Sequence, residues 1–403
     1  MLSTDTRDII KATVPVLETH GEQITKRFYE MMFTAHPELL NIFNQANQHQ
    51  GRQQTALANA VYAAAVHIDN LETILPAVKH IAHKHRGLGI QPDQYPIVGK
   101  HLLAAIKDVL GDAATDEILQ AWAEAYQVIA DAFISVEQDM YRESGQQVGG
   151  WSDFRSFIVS RKVRESDVIT SFYLTPEDGG PIATFQPGQY LTLKVSIPGQ
   201  QYTQMRQYSL SDAPGKPYYR ISVKREDAQG NAPAGIVSNY LHRDVQEGDT
   251  LLVSAPAGDF TLMETDRPVV FLSGGVGMTP LMSMLNTLLE RRSHHSITYV
   301  HSALHSGVHA FKSSLEELAQ AHENLSYYTV YERPLSEDTS SPYFAKQGYL
   351  DKTWLASVVD DQAEFYFCGP VTYMRAVYHI LKELGIPEAR IHYEFFGPQG
   401  VLA

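Results

Sequence analysis

Cysteine is almost missing from this sequence: Cys368 is the single one in 403 residues. An intramolecular disulfide is therefore excluded, and a thiolate-bound zinc or iron–sulfur centre would need more sulfur than the chain has. That scarcity fits a reducing compartment. Basic charge is also short. Thirty-two Lys and Arg stand against 46 Asp and Glu, a net charge of −14, which argues against nucleic acid or an anionic membrane as the main partner. No apolar run approaches the roughly 18 residues of a membrane span. Asp5, Arg7, Asp8 and Lys11 interrupt any signal-peptide core. The expectation is a cytoplasmic protein with no integral membrane segment and no nucleic-acid partner. Repeats and low-complexity tracts are missing too. With 44% hydrophobic and 19% charged residues, the chain can build real cores, and its length allows two to four domains at roughly 100–200 residues each.

Glycine and proline are unevenly placed. Residues 1–147 hold 7 of the 27 glycines and 5 of the 20 prolines. Helix interiors exclude both and turns demand them, so the first third reads as all-helical and the rest as strand-rich. The stretch Ser144-Gly-Gln-Gln-Val-Gly-Gly150 reads as a linker. Helical periodicity covers residues 5–19, 22–35, 53–67, 72–86 and 97–110. A last helix of about seven turns presents Trp122, Ala125, Ile129, Phe133, Val136 and Met140 on one face, with Asp116 and Glu117 at its start. Six short strand-like runs follow between 151 and 265 and predict a small antiparallel barrel. Beyond 266, apolar strands such as 268–272, 297–301, 326–331 and 364–368 alternate with helical stretches at 280–291, 310–321 and 371–384. That alternation predicts an open parallel α/β sheet.

Several residues stand out against this background. In Lys79-His-Ile-Ala-His-Lys-His-Arg86, Val78, Ile81 and Ala82 form the apolar stripe. His85 continues that stripe inward, whereas His80 and His83 fall toward solvent. Taken alone, an inward histidine is a hydrogen-bonded core residue. Glu137, four residues after Phe133, is the second anomaly, because a carboxylate at the edge of an apolar face needs a partner. Tyr95 lies ten residues after His85. Histidine, glutamate and tyrosine together would make a hydrogen-bonded triad of the kind that fixes the tautomer of a metal-ligating histidine.

The segment His36-Pro-Glu-Leu-Leu-Asn-Ile-Phe43 resembles the globin segment whose phenylalanine packs on the haem. Tyr29, Gln53 and Leu57 match the distal positions, and His85 matches the proximal iron ligand. Residues 1–147 thus resemble a globin of the bacterial type with Tyr and Gln on the distal side. Arg206-Gln-Tyr-Ser209, preceded by Pro187-Gly-Gln-Tyr190, resembles the flavin signature of the ferredoxin–NADP reductase-like barrel. The resemblance implies that Arg206 pairs with the pyrophosphate and that Tyr190, Gln207, Tyr208 and Ser209 hold FAD. Gly235-Ile-Val-Ser-Asn239 opens a helix whose N-terminus suits a phosphate.

Ser273-Gly-Gly-Val-Gly-Met-Thr-Pro280 resembles the nicotinamide signature of the same reductases. Gly274, Gly275, Val276, Gly277, Met278 and Thr279 would cradle the cofactor, the glycines admitting a pyrophosphate to the backbone. Cys368-Gly-Pro370 would lie near the nicotinamide. In Tyr393-Glu-Phe-Phe-Gly-Pro398, the resemblance makes Phe396 the aromatic on one flavin face, with Phe395, Gly397 and Pro398 beside it. Phe395 stands where a small aliphatic residue is expected. Glu394 matches an acidic residue near the haem–flavin junction, with Lys84 as its counterpart.

All three parts, in this order, resemble the flavohaemoglobin family. The implied fold is multidomain: an all-α globin at 1–147, an antiparallel β-barrel FAD domain at 151–265, and an α/β nucleotide-binding domain of ferredoxin–NADP reductase type at 266–403. The implied cofactors are haem b, FAD and NADH or NADPH. The implied activity is that of an oxidoreductase, a nitric oxide dioxygenase that turns nitric oxide and O₂ into nitrate with electrons from NAD(P)H. Tyr29 would donate a hydrogen bond to the partly anionic oxygen ligand with help from Gln53. Tyr95 and Glu137 would make His85 a stronger donor. Other readings are an O₂ or nitric oxide binding or sensing protein, which does not need an attached reductase, and an NAD(P)H oxidase or peroxide reductase. Ala303-Leu304-His305 lacks an arginine for a 2′-phosphate and so favours NADH. The self-contained reductase leads one to expect a monomer.

Overall fold

The computed structural model describes residues 2–43, 48, 51–230, 232–397 and 402. The chain divides into two compact units, Met1–Phe154 with Thr192–Arg206, and Arg155–Leu191 with Gln207–Ala403. The first begins with α1 (Thr4–Ala35), started by Ser3, whose hydroxyl accepts the Thr6 N–H. Two helices are expected across this span from the sequence, but one continuous helix runs through it. Gly21 marks a crossing instead of a break: a Cβ there would stand 3.5 Å from the Ala58 Cβ of α2 (Arg52–Val66). Next come α3 (Leu75–Leu88), α4 (Tyr95–Leu110) and α5 (Asp116–Gln146). The Thr115 hydroxyl caps α5, and Asp116 and Glu117 favour its first turn. This helix extends into the stretch expected to be a linker. Ile10, Phe28, Met32, Ala65, Ile106 and Trp122 build the core of these helices. Within the same unit the Thr203 N–H donates to Asn41 Oδ1 at 2.9 Å.

Two six-stranded sheets follow. The first contains β1 (Phe154–Arg164), β2 (Ile169–Pro176), β3 (Tyr190–Val195), β4 (Gln204–Ser209), β5 (Tyr219–Lys224) and β6 (Thr250–Ser254) in the order β4-β3-β6-β1-β2-β5. A single antiparallel bridge between Leu210, just past β4, and Ile221 of β5 joins the two ends of that order, so the sheet closes on itself as a barrel must. The short helix α6 (Ile236–Arg243) lies between β5 and β6.

The second sheet is parallel and contains β7 (Val269–Gly274), β8 (Ile297–Ala303), β9 (Leu325–Tyr331), β10 (Phe344–Gln347), β11 (Glu364–Cys368) and β12 (Ile391–Glu394). Its order is β10-β9-β8-β7-β11-β12. Every residue of β7 and β11 is buried, as expected where helices cover both faces. The helices are α7 (Met278–Glu290), α8 (Lys312–Ala321), α9 (Lys352–Val358) and α10 (Val371–Glu383). Strand order runs outward in one direction from β7 to β10 and in the other from β11 to β12. The carboxyl ends of β7 and β11 therefore flank the point where direction reverses, the place where such sheets bind ligands.

Candidate functional site

In the helical unit, the end of α3 and the middle of α5 bring His85 and Glu137 together. His85 Nδ1 lies 2.7 Å from Glu137 Oε1 and 3.1 Å from the Tyr95 hydroxyl. The Tyr95 O–H donates to the same Glu137 oxygen at 2.6 Å. A tyrosine has one proton to give, and it is spent on the carboxylate. Nδ1 is therefore the second donor to Oε1, which leaves Nε2 as the ring nitrogen with the free electron pair. Nε2 has no partner among the described residues. Glu137 is 2% exposed, and its burial is compensated by these two donors. Burial, with the Glu137 bond, pushes the Tyr95 hydroxyl up, so it stays a donor.

Local sequence explains how Tyr95 is aimed. Gln91 and Gln94 cap each other across the short turn Pro92–Gln94, and Pro96 then opens α4. The Tyr126 hydroxyl donates to the Tyr95 carbonyl at 2.7 Å. Gly99 makes room for that ring, since a Cβ at 99 would stand 2.5 Å from it. His80 and His83 share α3 with His85 and are half-buried.

Tyr29, 6% exposed, sits in the same unit against Phe28, Phe33 and Phe43, the ring centroids 4.7, 5.6 and 5.7 Å away. Burial pushes its hydroxyl up, and the Gln53 and Gln48 side chains beside it pull the other way. Gln48 carries no sequence signal that would have singled it out. Leu57 and Phe43 pack, partly buried, on the helical core. An imidazole with one nitrogen held as donor and the other open is the donor set that a haem iron takes, and these residues fit such a group.

In the barrel, β4 alternates. Arg206 and Tyr208 are half-buried on one face, while Gln207 is exposed and Ser209 buried. Arg206 donates to the Met205 carbonyl at 2.7 Å. Tyr190 is buried and packs against Gly258, whose φ of 114° and open side admit the ring. Gly235 is the N-cap of helix α6. Its other end is secured by Lys162, which donates to the carbonyls of Leu241, His242 and Val245 at 3.1, 2.8 and 2.7 Å.

At the reversal point of the parallel sheet, the turn Gly275–Gly277 joins β7 to α7. The glycines there do two different jobs. Gly275 has φ 52° and nothing within 4 Å of where a Cβ would be, so its backbone faces open space that a pyrophosphate fits. A Cβ on Gly277 would instead stand 2.2 Å from the Cys368 carbonyl oxygen, and one on Gly274 would stand 2.8 Å from the Tyr373 ring. Those two glycines let the β7 and β11 loops touch each other. Packing between the loops is thus a second demand on these glycines, beside the approach of a ligand expected from the sequence.

Met278 and Thr279 are likewise placed in the core, Thr279 donating to the Val276 carbonyl at 3.0 Å. Val276 packs, partly buried, on the core beneath α7. Cys368 pairs in register with Glu394. Burial, and then Glu394, push its thiol up. Phe395 turns into the core, 7% exposed, whereas Phe396 is 47% exposed and Gly397 follows with φ 144°. Pro398 lies outside the described residues. Past β8, the buried Asp338 carboxylate accepts from the Ser306 and Leu335 N–H groups.

Comparison with known proteins covers the whole chain. A globin family model matches residues 26–133, an oxidoreductase FAD-binding domain 157–262 and an oxidoreductase NAD-binding domain 271–379. A flavohemoprotein of Halalkalibacterium halodurans is 58% identical over 100% of this chain and 98% of its own. One from Bacillus subtilis is 51% identical over 100% and 99%. The crystal structure of a Malassezia yamatoensis flavohemoglobin with bound FAD and heme superposes with a TM-score of 0.82 at 28% identity, covering 98% of this chain and 100% of that one. The FAD/NAD-binding domain of a Vibrio cholerae nitric oxide dioxygenase is 39% identical with a TM-score of 0.56, covering 61% of this chain and all of its own.

Proposed function

The chain belongs to the flavohemoprotein family, and from that premise we propose that it is a nitric oxide dioxygenase, converting nitric oxide and O₂ to nitrate with electrons from NAD(P)H and so detoxifying nitric oxide. We assign residues 1–147 to haem, 151–265 to FAD and 266–403 to the nicotinamide nucleotide. The observation that carries the reading is the His85–Glu137–Tyr95 triad with an open Nε2, in a chain matched along its full length by flavohemoproteins. When bound, the three cofactors supply the redox chemistry: a hydride from nicotinamide to flavin, then single electrons to iron.

The residues prepare each step. His85 offers Nε2 to the iron, while Glu137 and Tyr95 keep the ring's proton on Nδ1 and strengthen it as a donor. The Tyr29 hydroxyl, kept protonated by burial, donates to the negative charge that develops on oxygen, with Gln53 beside it. Phe43 and Leu57 line the apolar side. Arg206 meets the FAD pyrophosphate, and Tyr190, Gln207, Tyr208 and Ser209 hold the ring system. Gly275 admits the nicotinamide pyrophosphate, Gly274 and Gly277 keep its loop shut on the Cys368 loop, and Phe396 covers the flavin. Lys84 and Glu394 serve electron transfer. The stretch Ala303-Leu304-His305 at the end of β8 offers no arginine to a 2′-phosphate, so NADH is the better donor. We place the protein in the cytoplasm as a monomer. Among the described residues no helix is long and apolar enough to cross a membrane.

The test supplies the full-length, cofactor-loaded protein with NADH, O₂ and nitric oxide. Each hydride carries two electrons, so two nitric oxide molecules should become nitrate per NADH. Oxygen uptake without nitrate would make it an oxidase, and binding of nitric oxide without turnover would make it a carrier. Either result overturns the proposal.

A further inference from the structure

Three residues outside this scheme tie the end of the His85 helix to the Glu137 helix. On α5, Glu137, Tyr141 and Ser144 follow each other at i, i+4 and i+7 and therefore lie along one stripe. Each meets the end of α3. Glu137 accepts from His85. The Tyr141 hydroxyl reaches the Ile90 carbonyl at 2.8 Å and the Arg86 carbonyl at 3.4 Å. The Ser144 hydroxyl accepts from the Arg86 guanidinium at 3.0 Å. Arg86 directly follows His85 and is 7% exposed.

The C-terminal turn of α3 makes the linkage stiff. Gly89 adopts φ 77°, its N–H returns to the Arg86 carbonyl, and the Ile90 N–H returns to the His85 carbonyl at 3.0 Å. A fixed Ile90 therefore fixes the His85 main chain. Burial pushes the Tyr141 hydroxyl up, so it keeps the proton it donates. Apolar side chains could hold two helices together, and burying an arginine is costly unless it is paired. Polar fasteners in this place give what apolar packing does not, a defined register along the helix axis.

We propose that Arg86, Tyr141 and Ser144 are positioning residues for His85: a clamp that holds the end of α3 in register on α5, so that Glu137 stays in line with Nδ1 and sets the donor strength of Nε2. The inference rests on the reading of His85 as the iron ligand. Hydrogen-bond strength falls steeply as the angle opens, so a small slide of α3 would weaken the Nδ1 bond without breaking the fold.

The test uses the full-length haem-loaded protein and the iron–histidine stretching band of its reduced, ligand-free form. Tyr141→Phe, which keeps the ring, and Ser144→Ala should both move the band to lower frequency, in the direction of Glu137→Gln but by less. Haem release should quicken by about 3–10-fold, against the ~10–100-fold of losing a partner that bonds a ligand directly. Arg86→Lys should restore part of what Arg86→Met loses. A band that stays in place while thermal stability falls would reduce the three residues to ordinary packing and overturn the clamp. If His85→Ala itself keeps the band, the ligand assignment fails instead, which separates the two outcomes.

Discussion

His301 and His309 are buried more deeply than His85, yet they are chemically quieter. His301 belongs to β8 of the parallel sheet and His309 follows that strand; they are 0% and 2% exposed, with ring centroids 3.9 Å apart. Their partners are all neutral. His301 Nδ1 meets the Ser273 hydroxyl at 2.7 Å, and His309 meets the hydroxyls of Tyr331 and Tyr327 at 2.8 and 3.3 Å. Burial holds the His301 ring at about 3, far below its ordinary 6.5, and burial together with His301 pushes His309 well down. His85 differs in two ways: its side chain keeps 32% exposure, and its bonded nitrogen faces a carboxylate. Burial by itself turns an imidazole into an inert neutral ring. A buried carboxylate behind one nitrogen, with the other left open, gives the arrangement we propose for a ligand.

The sharpest break in this comparison comes from deleting the rings. His85→Ala should abolish stable haem binding, read as loss of the Soret band in the purified protein, whereas His301→Asn should keep the haem. Retention of a normal Soret band by His85→Ala would end the distinction. Removing only the carboxylate charge is the next step down. Glu137→Gln should weaken haem retention by about 10–100-fold, measured as transfer to an apoglobin acceptor. Unchanged transfer would mean that Glu137 does no more than fill space.

Tyr29→Phe tests the hydroxyl we propose as the hydrogen-bond donor to bound oxygen. Losing one hydrogen bond to a charged group costs roughly 1.5–3 kcal/mol, so O₂ release from the reduced protein should quicken by about tenfold or more in a flash-photolysis measurement. The smallest effect belongs to the quiet pair. Both rings have folded-state values below their unfolded ones, so the unfolded chain binds more protons as pH falls. Their contribution is intact above about 6.5 and is lost below it. His309→Gln should flatten the fall in melting temperature between pH 7 and pH 5. An equal slope in both proteins would show that the pair does not govern it.

Much of this contrast was legible in the sequence. The stripe Val78, Ile81, Ala82 turns His85 inward, and Glu137 on an apolar face demands a partner; the structure joins the two. The glycine-rich turn after an all-apolar strand likewise locates the reversal point of the parallel sheet. Other features left no readable signal. Nothing in the sequence names Ser144 as a partner for Arg86, because Ser144 falls in a Gly- and Gln-rich stretch that reads as linker although α5 continues to Gln146. Phe344–Gln347 is too short and too polar to announce a strand, yet it pairs with β9. Gly21 suggests a helix end, because a glycine that eases a helix crossing looks the same in sequence as one that stops a helix.

The contact between Gly277 and the Cys368 carbonyl sets a rule for redesign of the nucleotide site. An engineer seeking a different coenzyme would find two glycines, separated by one residue, with opposite tolerances. Position 275 has room outside and a left-handed backbone, so asparagine or aspartate is the natural trial there. Position 277 is bounded by main chain that no rotamer choice can move aside. Even alanine there would push apart the turns that end β7 and β11, and the cost would be read first as lost stability, before any change in coenzyme preference.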